Sequence, residues 1–244
     1  MTRNTPKHVV IFGASGGIGQ ALVAHYASQP GIESLHAVAR RALPARAGIT
    51  NHQADITNPH QIEALAGQLK SQKISPDLVI LATGLLSDDA GLRPEKSYRQ
   101  QSMEAFEQVF ATNTFGPAMV ARHFLGLMPR KERAVFAALS ARVGSISDNG
   151  LGGWHAYRAS KTALNMLLRN YAIEMGRTHE QMICVGLHPG TVRTELSNPF
   201  SGNVAPDKLF EPDQAAAYLT DVIDGLTPDQ SGKVFDWAGR EIPA

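Results

Sequence analysis

Tyr157 and Lys161 stand four residues apart in Tyr-Arg-Ala-Ser-Lys, a spacing that projects both side chains from one face of a helix. A phenol with its reference pKa near ~10 is a poor acid/base catalyst at neutral pH, and an adjacent ammonium lowers that value by stabilising the phenolate. So poised, Tyr157 could give a proton to a carbonyl oxygen while hydride arrives from a nicotinamide, or take one from an alcohol in reverse. The pattern alone is weak. Many amphipathic helices carry it by chance, so it gains weight only beside an independent sign of a cofactor.

That sign is Gly13-Ala14-Ser15-Gly16-Gly17-Ile18-Gly19, which follows an apolar run directly and opens a helical pattern. A diphosphate can approach such a turn closely, because glycine has no Cβ and the helix N-terminus offers unpaired N–H donors and a favourable dipole. The candidates are Gly13, Ser15, Gly16, Gly17, Ile18 and Gly19. The spacing differs from Gly-x-Gly-x-x-Gly, and a tight strand-to-helix turn without a ligand is the plain alternative. After the second apolar run an NAD site would place an acidic residue for the ribose 2′-OH, whereas this chain has Ala39-Arg40-Arg41. Two guanidinium groups suit a 2′-phosphate, so NADP is preferred and NAD remains compatible. Asp55, followed by Ile56, could accept from an adenine amino group or simply cap a turn.

These groups need a scaffold to bring them together. Short apolar or β-branched runs at His8 to Ala14, Ser34 to Ala39, Ile49 to Ala54, Asp77 to Thr83, Arg133 to Ser140, Met182 to His188 and Lys233 to Trp237 alternate with helical periodicity. The helical segments are Gly17 to Ser28, Gln61 to Ser71, Ser102 to Met128, Gly153 to Gly176 and Asp213 to Asp224. The expectation is an α/β chain, residues 1–244 forming a single-domain doubly wound parallel sheet of about seven strands with helices on both faces. Loops 87–101 and 191–212 are longer than ordinary connections and follow strand C-termini, which makes them candidate walls of a substrate site.

Composition narrows the field. The 244 residues carry a formal net charge of +1 and one cysteine, 18% being charged and 43% hydrophobic. Nucleic acid or an anionic membrane would call for clustered Lys and Arg, and neither partner is expected. No apolar run reaches the ~18 residues of a membrane span, and the N-terminal stretch has no small-residue cleavage site. Cys184 has no internal partner, so a reducing compartment, the cytoplasm, is the expected location. The scattered histidines form no ligand pattern, so no metal is expected.

Taken together, the turn at 13–19, Leu81-Ala82-Thr83-Gly84, Asn113 in Asn-Thr-Phe-Gly, Tyr157-Arg-Ala-Ser-Lys161 and His188-Pro-Gly-Thr-Val-Arg-Thr194 resemble the short-chain dehydrogenase/reductase family over essentially the whole chain. Ser-Ala-Arg-Val-Gly-Ser at 140–145 and the segments after Tyr157 and His188 look most like its C-factor and carbonyl-reductase-like branch. The resemblance implies a Rossmann fold and catalysis by an Asn, Ser, Tyr, Lys set. Tyr157 matches the general acid/base and Lys161 the residue that tunes it and holds the nicotinamide ribose. Asn113 matches the helix asparagine whose carbonyl seats a relay water. Pro189, Gly190, Val192 and Thr194 match the turn facing the nicotinamide, and Ala82, Thr83 and Gly84 stand where Asn-Ala-Gly is usual.

The serine departs from the pattern. Family members place it three residues before the glycine, and that position is Ala141; Ser140 precedes it, on the opposite strand face if the strand is regular. A local bulge that re-aims Ser140 is the favoured expectation, with Ser145, Ser147 or no hydroxyl at all as alternatives. The resemblance implies reduction of a carbonyl, or oxidation of the matching alcohol, on a small molecule. A C-factor-like signalling or regulatory protein with vestigial catalysis is the rival reading. The helices at 102–128 and 153–176 match those that pair in family homodimers and homotetramers, while carbonyl-reductase-like members are also monomeric.

Overall fold

The computed structural model describes residues 5–200, 202, 205 and 208–244. β1 (His8–Phe12), β2 (Ser34–Ala39), β3 (Ile49–Gln53), β4 (Leu78–Leu81), β5 (Ala134–Leu139), β6 (Met182–His188) and β9 (Val234–Asp236) run parallel in one sheet. β4 and β5 are apolar at every position, and β1 from Val9 on, because helices cover both faces. An eighth strand, β10 (Glu241–Ile242), pairs antiparallel with β9, giving the order β10-β9-β6-β5-β4-β1-β2-β3. Two residues are too short to show periodicity, which is why seven strands were legible and eight are present.

One face packs Phe12, Val79 and Phe136 under α2 (Pro59–Ser71), α4 (Gly116–Phe124) and α5 (His155–Met175). The other packs Ile11, Ile80 and Val185 under α1 (Gly17–Ala27) and α6 (Pro212–Gly225). Each such fully buried side chain contributes about 1.5–3 kcal/mol relative to exposure. The chain winds outward from β1 to β3, then crosses back to β4 on β1's other side. Strand order reverses there, and a crevice opens at the C-terminal edge between β1 and β4.

The expected helix over 102–128 is broken. α3 (Met103–Phe110) passes into a π-helical turn, Ala111–Phe115, before α4 starts at Gly116. Pro117 has no N–H for the α-helical ladder, and Gly116 lies so close to Ile56 that a Cβ would sit 2.9 Å from its Cγ1. Within the expected loop 191–212, β7 (Thr191–Val192) and β8 (Leu209–Phe210) pair in parallel. Its positions 201, 203–204 and 206–207 lie outside the described residues. No helix among the described residues is long and apolar enough to cross a membrane.

Candidate active site

The glycine turn is built by close approach. Gly13 takes φ +78°, and a Cβ there would lie 2.6 Å from the Ala82 carbonyl oxygen; one on Gly19 would lie 2.1 Å from the Gly13 oxygen. A Cβ on Gly17 would meet Thr194 Cγ2 at 2.9 Å. Gly16 caps α1 with extended backbone and no side chain, so no side-chain acceptor occupies the helix N-terminus at Gly17, Ile18 and Gly19. Ser15 is exposed at the rim, its carbonyl oxygen accepting from Gln20 Nε2 at 2.9 Å. Opposite, Thr83 Oγ1 is buried with no hydrogen-bond partner. The cradle, the uncapped amides and the orphaned hydroxyl fit a diphosphate and its attached ribose.

Beyond β2, Gln53 Nε2 donates to the Arg40 carbonyl at 3.1 Å, which holds the backbone while both Arg40 and Arg41 side chains stay exposed. Asp55 Oδ1 accepts from Thr57 N at 2.8 Å and Thr57 Oγ1 at 2.7 Å, so it does cap its own turn. Ile56 is buried under Gly116.

α5 carries Tyr157 and Lys161 to the C-terminal edge of the sheet, both buried. Lys161 Nζ donates to the Leu139 carbonyl at 2.8 Å and lies 5.8 Å from the centre of the Tyr157 ring. Burial pushes Tyr157 up to about 12 and Lys161 down to about 8. The expected lowering of the tyrosine is therefore absent. The two groups are removed from water together, and desolvation outweighs the attraction of an ammonium already bonded to a carbonyl.

Asn113 sits in the π-helical turn and clamps the end of β4 to α5. Its Nδ2 donates to the Leu85 carbonyl at 2.9 Å and to Ser160 Oγ at 3.1 Å, while its Oδ1 accepts from Leu85 N at 2.8 Å. Ser160 Oγ in turn donates to the Tyr157 carbonyl at 2.8 Å. A Cβ on Gly84 would lie 3.9 Å from both Asn113 Oδ1 and Lys161 Nζ. The structure thus brings Asn113, Tyr157, Lys161 and Gly84 together. Ser160 was missed in the sequence, being one more small residue on a helix.

Ser140 goes elsewhere. The β5 ladder continues through it, Ser140 N donating to Leu187 O at 2.8 Å, and Ala141 is extended, so no bulge interrupts the alternation. Ser140 shares a face with Phe136 and Ala138, toward α5, and its Oγ donates to Asn165 Oδ1 at 2.6 Å. Ala141 joins Tyr157 in one apolar cluster. The expectation of a re-aimed Ser140 is corrected accordingly. Ser145 and Ser147 are also engaged elsewhere: Ser145 Oγ accepts from Asp148 N at 3.1 Å, and Ser147 Oγ donates to the Ala244 carbonyl.

The cluster around the tyrosine includes Leu86 and Ala141, with Trp154, Leu196 and Phe200 packed against it, so both long loops contribute to it. Trp154 is left-handed at φ 51°, ψ 44°, a conformation costing about 1–3 kcal/mol in a non-glycine residue. It occupies the N-cap of α5, where its side chain makes no cap bond. Glu95 supplies the cap from loop 87–101: both carboxylate oxygens accept from Ala156 N at 3.3 Å, and its carbonyl accepts from Trp154 N at 2.6 Å. Nothing in the sequence pairs Glu95 with position 156 beyond the oddity of a tryptophan at a cap. The same loop borders a cavity of about 520 Å³ lined by Asp88, Arg93, Glu95, Lys96 and Gln108, with neither Tyr157 nor Lys161 on its wall.

After β6, Gly190 takes φ +78° against Phe210, where a Cβ would lie 2.7 Å from Cε2; Val192 pairs beside Phe210, and Thr194 backs Gly17. Pro189 and Gly190 thus form a tight turn beside the second small sheet. Burial, with Arg142 nearby, pushes His188 down to about 4. Trp237 packs against Phe210 and Tyr218 with ring centres 4.8 and 5.2 Å away, as a core residue would. Cys184 is fully buried and burial pushes its thiol up to about 12, the inert state expected of it.

The chain is 34% identical over 191 residues to 1-hydroxy-2-glutathionyl-2-methyl-3-butene dehydrogenase of a Rhodococcus strain, covering 78% of each. It is 38% identical over 137 residues to the C-signal protein of Myxococcus xanthus, covering 56% of this chain and 76% of that one. The NADPH-bound carbonyl reductase from chicken fatty liver superposes with a TM-score of 0.83 at 25% identity, covering 98% of this chain and 99% of the other. Residues 7–204 match the model of the short chain dehydrogenase family. A Rossmann-type parallel sheet, a glycine cradle at its first turn and a Tyr, Lys pair at its C-terminal edge all follow from one assignment: the chain belongs to the short-chain dehydrogenase/reductase family.

Proposed function

We propose that this protein is an NADPH-dependent oxidoreductase that reduces the carbonyl group of a small molecule to an alcohol, or runs the reverse reaction, with Tyr157 as general acid/base. The observation that carries the reading is the buried Tyr157, Lys161 pair on α5, with Gly84 beside Lys161 and the glycine cradle packed on Ala82 two residues earlier. Gly13, Ser15, Gly16, Gly17, Ile18 and Gly19 would hold the diphosphate, Arg40 and Arg41 the 2′-phosphate, and Ala82, Thr83, Gly84, Lys161 and the turn from Pro189 to Thr194 the nicotinamide half. The bound nicotinamide would supply hydride to the carbonyl carbon.

The protein's own part is proton delivery. With its pKa near 12, Tyr157 holds its proton at neutral pH and donates it to the carbonyl oxygen as the C=O π bond breaks. The Lys161 ammonium stabilises the phenolate left behind. It is released from desolvation cost in proportion as negative charge forms beside it. Asn113 positions the helix rather than the substrate, through Leu85 and Ser160. Residues 1–244 act as one catalytic domain with 87–101 and 191–212 as substrate loops, and an NADPH-rich reducing compartment such as the cytoplasm suits the buried free Cys184.

A second reading has its own support: Ala141 stands beside the tyrosine where the family's serine is usual, and the M. xanthus C-signal protein is among the relatives. In that reading the chain is a dinucleotide-binding regulator with weak catalysis. Fluorescence titration with NADPH and NADH, followed by carbonyl reduction assays on wild type and Tyr157→Phe, separates the two. An enzyme binds NADPH more tightly and loses reduction in Tyr157→Phe; a regulator binds NADPH and shows negligible turnover in both; no binding of either dinucleotide overturns both readings.

A further inference from the structure

We propose that Trp154, locked in place by Glu95, is a specificity-determining wall of the carbonyl site and selects substrates whose carbonyl bears a flat aromatic group. The inference rests on the reductase reading. α5 is preceded by three consecutive residues of positive φ, Gly152, Gly153 and Trp154, and only the first two are glycine. Such strain persists where neighbouring structure over-determines it. Glu95 does so with both ends: its carbonyl accepts from Trp154 N, its carboxylate from Ala156 N, and a Cβ on Gly153 would lie 3.3 Å from that same carbonyl oxygen. The substrate loop and the catalytic helix are fastened at one residue.

The effect is to aim an indole. The Trp154 ring meets Tyr157 edge-on, centres 6.2 Å apart, and Phe200 of the opposite loop at 5.2 Å. Leu86, Ala141 and Leu196 complete an apolar surround. A substrate carbonyl at the Tyr157 hydroxyl would carry its substituent into rings already set edge to face. A planar aromatic group gains from that arrangement beyond area burial alone, whereas a puckered ring of similar size does not.

The test compares acetophenone with cyclohexyl methyl ketone, which differ in the flatness of one ring. In wild type kcat/KM is expected to favour acetophenone. Trp154→Leu is expected to collapse the ratio between the two ketones by about tenfold, mostly through KM, and Trp154→Tyr to recover most of it. Glu95→Leu should collapse the ratio as well, and Glu95→Gln, which keeps an acceptor for Ala156 N, should preserve it. A second readout is independent of turnover: in a Trp237→Phe background, saturable quenching of Trp154 fluorescence by acetophenone with NADP⁺ bound. Quenching without turnover would keep Trp154 as a wall that binds a flat aromatic ligand and sink the reductase reading. Equal losses on both ketones, a wild-type preference for the cyclohexyl ketone, or absence of saturable quenching would overturn the inference.

Discussion

Ser140 donates its hydroxyl to Asn165 at 2.6 Å, and Asn165 lies two helical turns along α5 from Tyr157, on the same stripe as Lys161. The hydrogen bond fastens β5 to α5. Ser140→Ala should therefore cost about 1 kcal/mol of unfolding free energy, read by urea titration, with kcat nearly unchanged. Ala141→Ser should instead raise kcat for reduction, about tenfold or more, by placing a hydroxyl beside Tyr157. A sharp loss of turnover in Ser140→Ala would return that residue to the mechanism.

The pH dependence follows from the two shifted groups. Tyr157 keeps its proton to about 12, so on the proposed function Lys161 would be the group that limits reduction, and kcat should decline as pH rises through about 8 and the ammonium is lost. A profile flat to about pH 10 would contradict this assignment.

Stability should move oppositely. The Lys161 value falls from 10.5 in the unfolded chain to about 8 in the folded one, so between these the unfolded chain binds more protons and stability rises with pH. Cys184, raised from 9.0 to about 12, adds a loss of stability above about pH 9, and Tyr157, raised from 10.0 to about 12, adds another above pH 10. Urea midpoints of the apo protein should thus increase from about pH 7.5 to about pH 8.5 and level off beyond it, and Lys161→Met should abolish the increase.

Arg40 and Arg41 are exposed and their shared backbone is fixed by Gln53. Replacing both by serine should weaken NADPH binding by about ten- to a hundredfold, the scale of one or two charge-assisted hydrogen bonds, and leave NADH binding unchanged. Fluorescence titration reads both affinities. Equal weakening of the two dinucleotides would remove the arginines from 2′-phosphate recognition.

Gly19→Ala should fail at the level of the turn itself. Its methyl group would lie 2.1 Å from the Gly13 carbonyl oxygen, and overpacking of this kind costs about 1–3 kcal/mol. Thermal unfolding should report a lower Tm and titration a loss of dinucleotide affinity.

The sheet was legible because β1, β4 and β5 are apolar on both faces, and the motif residues at 13–19, 157 and 161 announce themselves by type and spacing. β10 and the break at Ala111–Phe115 were not, since one is two residues long and the other depends on Ile56 crowding Gly116 from a different part of the chain. The serine register was readable, and regular alternation decided it; a bulge would have needed an unpaired residue that β5 does not have. The tyrosine's environment was not readable. Its pKa depends on burial assembled from β5, α5 and two loops, and the Glu95 cap bridges 61 positions.

The collision distances in the glycine turn also bear on how such a chain can change over time. Positions 13 and 19 admit no side chain without backbone moving, so mutation has almost no room there. The nearest atoms to those positions belong to Ala82, Thr83, Gly13 and Ala14, not to Arg40, Arg41 or the loop bearing Glu95. On the proposed function, cofactor preference and substrate range can therefore drift separately, each searched by substitution around an anchor that neither search disturbs.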